Sequence, residues 1–442
     1  MGFNIGLLGL GTVGSGVAQI FHDRQGRHPL LEVVEIARIG VRSLDKPRAV
    51  PIAPERITTD LTAIVRDPAI DIVVEVIGGL EPARTLILDA IAHGKHVITA
   101  NKAVISRFGD EIFTAANQAG VYVMLEAAVA GGIPVIQAMK QSLGANRIQS
   151  VMGILNGTTN YILTRMTQEG SDFAEVLADA QKLGYAEADP TADVDGLDAG
   201  DKIAILASLG FGGRIKLDQV HREGIRSVSA SDISYADKLG FVIKLLAIAQ
   251  RPPGEDNAVG IPAEVEVRVH PTLIPKEHPL ASVNGVNNAI LLNADPLGQV
   301  MFYGPGAGAG PTASAVVSDI VNVVALLKSG LSASNPETEK IHPLLACSHH
   351  SYSEVASVAN LITRFYARFL TKDHPGVIGK LGTCFGNHGV SLESMVQIGF
   401  QNSSAEIVVV THEVQEKEFR NALADIQAQD VVEQIPSILR VL

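Results

Sequence analysis

The 442-residue chain is 46% apolar and 19% charged, the composition of a folded globular protein with length for two or three domains. Its net charge of −12, with no Lys/Arg run, excludes the basic footprint of a nucleic-acid binder. Its two cysteines, Cys347 and Cys384, lie far apart, which excludes a disulfide framework and fits a reduced compartment. The start, MGFNIGLLGLG, lacks the basic region and cleavage site of a signal peptide, and no apolar run is read as long enough to cross a bilayer. A cytoplasmic protein is expected.

The first 130 residues alternate strand and helix signals. NIGLLGLG (4–11) is a buried strand that breaks into glycines, and VGSGVAQIFHDRQG (13–26) a helix. EIARIGVRS (35–43) and AIDIVVEVIGG (69–79) are strands; EPARTLILDAIAHGK (81–95) is an amphipathic helix. HVITANKAVI (96–105) is a fourth strand and its exit, RFGDEIFTAANQAG (107–120) a helix and VYVMLEAAVAGG (121–132) a fifth strand. Strands this apolar, separated by helices, predict a parallel sheet covered on both faces.

From about 133 to 305 the pattern predicts an α+β domain with its own sheet. RIQSVMGILNGTTNYILTRM (147–166) reads as strand, polar turn and helix; DFAEVLADAQKLG (172–184) and DAGDKIAILASLGF (198–211) read as helices. EVEVRVHPTLI (264–274) and AILLNADPLGQVMFYG (289–304) read as strands. GPGAGAGPTASAVVSDIVNVVALL (304–327) is a glycine-rich loop entering a helix, and SGLSASNPETEKIHP (329–343) is linker-like. A βαβ-type module beginning in 364–399 runs to Leu442. No internal repeat is seen.

Gly9, Gly11 and Gly14 form G-x-G-x-x-G after a strand, with Thr12 and Val13 opening the helix. Glycine permits the tight turn and the approach of a pyrophosphate, which the unpaired N–H groups of the helix start then bind. A merely tight-packing turn is the alternative. An NAD enzyme usually carries Asp or Glu at the end of the second strand; here Val41-Arg42-Ser43 stands there. Arg42 suits a 2′-phosphate, so NADP is favoured, with NAD possible; an ordinary surface arginine is the bland reading.

GYAEADPTADVDGLDAGDK (184–202) packs six carboxylates before a lysine. As a calcium loop aligned on Gly196 it places Lys202 where the bidentate carboxylate belongs, so that reading fails. Asp198 and Lys202 are spaced i, i+4 and share a helix face; alone, that is a surface salt bridge worth a few tenths of a kcal/mol, on the order of 0.3. The apolar IAILASLGF that follows argues for burial, where a lysine needs a partner or a function. Lys102, in TANK, stands at the carboxyl end of the fourth strand, where doubly wound folds place their ligands. A dinucleotide, two lysines and carboxylates suit carbonyl reduction, with hydride from nicotinamide and a proton from a lysine.

Over nearly its whole length the chain resembles the monofunctional homoserine dehydrogenases, through GLLGLGTVGSG (6–16), TANKAVI (99–105), EAAVAGGIPVI (126–136), GILNGTTNYIL (153–163), the acidic segment 184–202 and GPGAGAGPTASAVVSDI (304–320). With no aspartokinase portion ahead of the nucleotide-binding part, the bifunctional form is not expected. The resemblance implies interconversion of L-homoserine and L-aspartate 4-semialdehyde with NAD(P)(H), in threonine, methionine and isoleucine biosynthesis. It implies Lys202 as proton donor and Lys102 between cofactor and substrate. It assigns Glu187 and Asp198, with Gly184, to the amino acid substrate, and leaves Asp189, Asp193, Asp195 and Asp201 mostly as loop and capping residues. Gly306, in the return segment, is expected near the nicotinamide. A monovalent cation, sodium by family precedent, is implied at Glu126, Val129, Gly131 and Ile133, mostly through main-chain oxygens; a turn shaped for substrate access is the alternative.

KDHPG, with Asp373, Pro375 and Gly376, and NHGVSLESM (387–395) resemble an ACT domain, a βαββαβ unit that binds amino acids. Feedback by L-threonine is the implied role and plain dimerisation the alternative. The expected fold is thus α/β: a Rossmann-type NAD(P)-binding domain (1–132, with return segment 306–328), an α+β catalytic and dimerisation domain (133–305), a linker (329–354) and a ferredoxin-like ACT domain (355–442). A homodimer or homotetramer is expected, with no nucleic acid or membrane partner. Two competing readings remain: a reductase of another small amino aldehyde, and an amino-acid sensor built on a degenerate dehydrogenase. The intact glycines and both lysines weigh against the sensor.

Overall fold

A computed structural model describes residues 2–48, 50–252, 260–262, 264–329, 342, 345–346, 351–401 and 404–442. Most of the expected linker 329–354, and Cys347 within it, lies outside the described residues.

The N-terminal part is an all-parallel six-stranded sheet in the order β3-β2-β1-β4-β5-β6. Its strands are β1 (Phe3–Leu8), β2 (Val34–Gly40), β3 (Ile57–Thr58), β4 (Ile72–Glu75), β5 (His96–Thr99) and β6 (Val123–Met124). Helices α1 (Thr12–His22), α2 (Leu61–Arg66), α3 (Ala83–Ala92) and α4 (Lys102–Ala119) connect them. The central strands are buried along their length because helices cover both faces. The order reverses between β1 and β4, which opens a crevice at the carboxyl ends of those strands.

The strand expected over 69–79 is only Ile72–Glu75, the helix expected over 13–26 ends at His22, and the strand expected over 289–304 is two antiparallel strands. Two further differences bear on the site. α4 starts at Lys102, five residues early, because the Asn101 side chain caps it by accepting from Val104 N at 3.2 Å. The strand expected over 121–132 shrinks to Val123–Met124, since Glu126–Ala128 coil into a 3₁₀ turn.

The second part contains β7 (Arg147–Ile154), α5 (Gly157–Glu169), α6 (Phe173–Lys182), α7 (Thr191–Val194), α8 (Leu197–Phe211), β8 (His221–Arg222) and α9 (Ala230–Lys238). It continues through β9 (Phe241–Gln250), β10 (Glu264–Pro275), β11 (Asn287–Asp295) and β12 (Gly298–Pro305). α8 is buried on most sides, with Ala199, Ile203, Ala204, Leu206 and Ala207 in the core. The chain then returns through α10 (Ala309–Ser329), which packs Ala313, Val316 and Ile320 with Val17 and Phe21 of α1. Contrary to the expectation that no apolar run reaches membrane-spanning length, α10 has 21 residues at mean hydropathy 1.5. Its apolar face lies in the core of the nucleotide-binding half, and it carries a fully buried Asp319.

After β13 (Glu354–Val355) comes β14 (Ile362–Thr371), α11 (Val377–Asn387), β15 (Leu392–Gln401), β16 (Ser404–Thr411), β17 (Val414–Gln415), α12 (Glu416–Gln427) and β18 (Val432–Val441). With β17 a two-residue pairing on β14, this is the βαββαβ order expected of the module. Its sheet is continuous with the second sheet: β18 pairs in parallel with β10, Thr272 opposite Arg440. Buried charges reinforce the seam. Arg368 donates to Asp232 at 2.8 Å and to Glu406 at 2.7 Å, while Tyr366 donates to Asp232 at 3.2 Å. Arg440 joins Glu416 of α12 to Glu223, which follows β8.

Candidate active site

The glycine loop shows why each glycine is needed. Gly9 adopts φ +107°, and a Cβ there would lie 2.9 Å from Val76 O. A Cβ on Gly14 would lie 2.1 Å from Gly9 O, so that position is closed to other residues. Among the described residues, a Cβ on Gly11 would meet nothing within 4 Å, so this side of the loop is open for a phosphate to approach. Thr12 and Val13 form the first turn of α1, which has no side-chain cap and no acidic residue, leaving its N–H groups to an anion. Arg42 is exposed just beyond β2, and the nearby Arg48 donates to Ser43 O.

The exits of β4 and β5 are locked together. Buried Glu75 accepts from Thr99 Oγ1 at 2.6 Å and from Ile77 N and Gly78 N. Asn101 Nδ2 donates to Gly79 O at 2.7 Å. These bonds set the first turn of α4 and hence Lys102.

Asp198 sits between the two lysines. Its Oδ1 lies 3.1 Å from Lys102 Nζ, and its Oδ2 lies 2.7 Å from Lys202 Nζ. Lys202 also donates to Leu155 O at 2.6 Å, which leaves one of its three ammonium donors for a ligand. Burial would raise the Asp198 carboxyl, but Lys202 and Lys102 outweigh it and hold it at about 2. Burial works against the Lys102 charge, yet Asp198, with Asp201 and Asp193, holds its ammonium above the ordinary lysine value.

Asn156 and Asp193 complete the cluster, and sequence reasoning missed both. Asn156 Nδ2 bridges Asp193 Oδ1 at 2.7 Å and Asp198 Oδ2 at 2.9 Å, while its Oδ1 caps α5 through Thr159 N. Burial raises the Asp193 carboxyl, the Asn156 bond opposes this, and the Asp198 charge adds to it. Asn before a Gly-Thr-Thr helix start is a signal for a cap, but nothing local points to two distant carboxylates. Asp201 also proves more than a loop residue: buried in α8, it accepts from Arg107 at 2.9 Å and Ser106 at 2.9 Å on α4. Asp189 and Asp195 fit the simpler reading, the first accepting from Thr191 N and the second pairing with Arg226.

Glu187 is exposed and its carboxylate is not joined to Asp198 or Lys202. Its loop is tied to the site: Thr158 Oγ1 donates to Tyr185 O at 2.7 Å, and Gln181 Nε2 to Glu187 O at 3.0 Å. Gly184, at φ +75°, turns the chain into this loop.

On the other side, Gly306 packs against the 130s turn, where a Cβ on Gly131 would lie 2.4 Å from Gly306 O. Ala130 and Gly131 are consecutive left-handed residues, at φ 55° and 53°. The Glu126 carboxylate accepts from Ile136 N and Gln137 N at 2.8 Å each, so its side chain is already satisfied. The Glu126 and Ile133 carbonyls accept from Val129 N and Val135 N, whereas among the described residues those of Val129 and Gly131 accept no hydrogen bond. Among the described residues, Val129 and Gly131 thus offer open main-chain oxygens here, while the Glu126 carboxylate is engaged by backbone N–H groups.

A dinucleotide-binding crevice facing a paired-lysine site, with an ACT unit built into the second sheet, defines a nicotinamide-dependent dehydrogenase of three modules. Residues 134–321 match the family model for homoserine dehydrogenase, residues 9–126 that for the homoserine dehydrogenase NAD binding domain, and residues 365–430 that for the ACT domain. The chain is 66% identical to a homoserine dehydrogenase of Synechocystis over 442 residues, all of both chains, and 40% identical to that of Bacillus subtilis, covering 99% and 98%. A crystal structure of a homoserine dehydrogenase from Thiobacillus denitrificans superposes with TM-score 0.90 at 40% identity, covering 100% of this chain and 98% of that one. A hyperthermophilic archaeal homoserine dehydrogenase in complex with NADPH aligns over 74% of this chain and 98% of its own, with TM-score 0.61 and 27% identity. The chain belongs to the homoserine dehydrogenase family, oxidoreductases acting on a CH–OH group.

Proposed function

We propose that this homoserine dehydrogenase uses Lys202 as its proton donor and acceptor and prefers NADP to NAD. The observation that carries the reading is Lys202 held by Asp198 and Leu155 O, with one donor left over. The bound dinucleotide supplies or receives the hydride at the carbonyl carbon of L-aspartate 4-semialdehyde. Lys202 delivers a proton to the oxygen as that carbon gains the hydride, and takes it back when L-homoserine is oxidised. Lys102 adds positive charge beside the same oxygen. Asp198, with a lone-pair site to spare, and Glu187, on the loop turned by Gly184, hold the substrate ammonium.

Gly9, Gly11, Thr12, Val13 and Gly14 bind the pyrophosphate, Arg42 the 2′-phosphate, and Gly306 closes over the nicotinamide. The NADPH complex of the archaeal relative supports this choice. Main-chain oxygens of Glu126, Val129, Gly131 and Ile133 would hold a sodium ion that stiffens the turn. We divide the chain as 1–132 with 306–328, 133–305, 329–354 and 355–442. The last unit senses L-threonine, the assembly is a homodimer or homotetramer, and the enzyme works in the cytoplasm in threonine, methionine and isoleucine biosynthesis.

The test is homoserine-dependent reduction of NADP⁺ and NAD⁺ followed by absorbance, with and without threonine. Faster turnover with NAD⁺ at equal subsaturating concentration would refute the NADP preference. Arg42→Ala is expected to raise the KM for NADPH at least ~10-fold and that for NADH far less, since a charge-assisted phosphate contact is lost. Equal effects would remove Arg42 from cofactor choice.

A further inference from the structure

A second cavity lies beside the site. Its volume is about 600 Å³, within the size range of small-molecule pockets, and it opens between α4 and α8. Its lining includes neither of the two site lysines, nor Asp198, nor any residue of the glycine loop. Three parts of the molecule meet there: α4 from the nucleotide-binding half, α8 and β8 from the second part, and Tyr352 on the approach to the ACT unit.

The walls carry an excess of positive charge. Arg107, Lys140, Arg214, Lys216 and Arg222 face Asp110 and Asp218. Two of the cations are already matched, Arg107 by Asp201 and Arg214 by Asp110. Lys140 donates to Leu345 O at 2.8 Å. Among the described residues, no carboxylate pairs with Lys216 or Arg222. Lys216 lies 5.4 Å from the Tyr352 ring. The stem of Arg222 lies on Gly200, where a Cβ would come within 2.8 Å of Arg222 Cδ. Gly200 thus leaves room for the Arg222 stem to lie against α8. The remaining surface is apolar, from Phe113 and Leu125 on one side and Leu209 and Leu217 on the other.

We propose that this cavity is a binding site for a small organic anion, a carboxylate or phosphate head group on an apolar body, and that its occupancy alters turnover. The head group sits between Lys216 and Arg222, and the body on the apolar wall. The route to the catalytic lysine is short. Arg107 lines the cavity and also holds Asp201, the residue before Lys202 on α8. An occupant whose body displaces the Arg107 side chain loosens the α4–α8 contact beside both site lysines. Arg222 also precedes Glu223, the residue that receives Arg440 of the ACT unit.

The binding test does not depend on the reaction assigned above. The aromatic sulfonate 8-anilinonaphthalene-1-sulfonate, which brightens in apolar surroundings, is titrated into the full chain saturated with NADP⁺, so that the dinucleotide site is closed to it. Saturable binding is expected. The double variant Lys216→Met, Arg222→Met is expected to weaken it at least ~10-fold through loss of charge-assisted contacts. Gly109→Leu, which grows from α4 into the cavity past Phe113 at 3.6 Å, is expected to abolish it. Should the double variant misfold, exposed Lys216→Met alone supplies the charge test. Absence of saturable binding, or binding unchanged by these variants, overturns the site. Displacement of the dye by 4-phenylbutyrate or by phenyl phosphate distinguishes the head groups, and displacement by neither overturns the anion assignment. At saturating dye, kcat is expected to change at least ~5-fold in the parent chain, the lower end of allosteric couplings, and not in Gly109→Leu. An unchanged kcat with dye bound overturns the coupling.

Discussion

The Lys202 ammonium lies 2.7 Å from the Asp198 carboxylate, one turn earlier on the same helix. In most helices such a pair is solvated and weak. Here both side chains are only 11% exposed, and the other Asp198 oxygen holds Lys102, the first residue of α4 in the nucleotide-binding half. The pair is therefore a junction between the two halves of the enzyme.

Lys202→Met is expected to lower kcat at least ~100-fold, the range of general acid–base catalysis, while NADPH affinity changes less than ~2-fold. Steady-state kinetics and a fluorescence titration of the cofactor measure the two effects. Near-normal turnover would remove Lys202 from proton transfer.

Gly11 and Gly14 are expected to separate folding from binding. Gly11→Ala meets no atom of the described residues within 4 Å, so its melting temperature should stay within a few degrees of the parent while cofactor affinity falls at least ~10-fold. Gly14→Ala forces a Cβ to 2.1 Å from Gly9 O and is expected to lower stability as well. Calorimetric melting and cofactor titration on both variants check this; a Gly11→Ala chain with unchanged affinity would contradict the loop's assignment.

Arg368→Met strands Asp232 and Glu406 as buried charges at the ACT seam. Breaking one partner of such a network costs about 3–5 kcal/mol, so a lower urea midpoint is expected. Replacing the three charges together (Arg368→Met, Asp232→Asn, Glu406→Gln) is expected to cost less than the single change. If the triple variant is the less stable, the network does more than compensate its own desolvation.

Asp319 gives a pH prediction with a definite sign. Burial, then the neighbouring Glu126 charge, push its carboxyl up to about 8 from 3.8. Between those values the folded chain keeps a proton that the unfolded chain has lost, so this group's stabilisation falls as pH rises from about 4 to 8. Asp319→Asn keeps an acceptor for Glu126 N but cannot ionise. The melting temperature of the parent chain is expected to drop relative to the variant across that window; a constant difference would show that Asp319 does not titrate there.

The nucleotide-binding fold is legible in the chain because each of its features is local. Buried β-branched strands, helix stops and a glycine turn need only neighbouring residues to be recognised, and Lys102 follows β5 by simple continuity. The acidic segment is legible in part: the i, i+4 spacing by itself puts Asp198 and Lys202 on one face of α8. The segment's remaining roles are not legible. Whether Asp193 is a loop residue or part of the site depends on Asn156, which is 37 positions away. Asp201 is defined by Arg107, 94 positions away. Likewise, the ACT module is readable from its element order, but its fusion to the second sheet through Thr272 and Arg440 is not. Local pattern is set by backbone propensity and the period of apolar residues, which the sequence determines by itself. Which charge neutralises which is decided only when packing removes water, because burial makes an unpaired charge costly enough to select its partner.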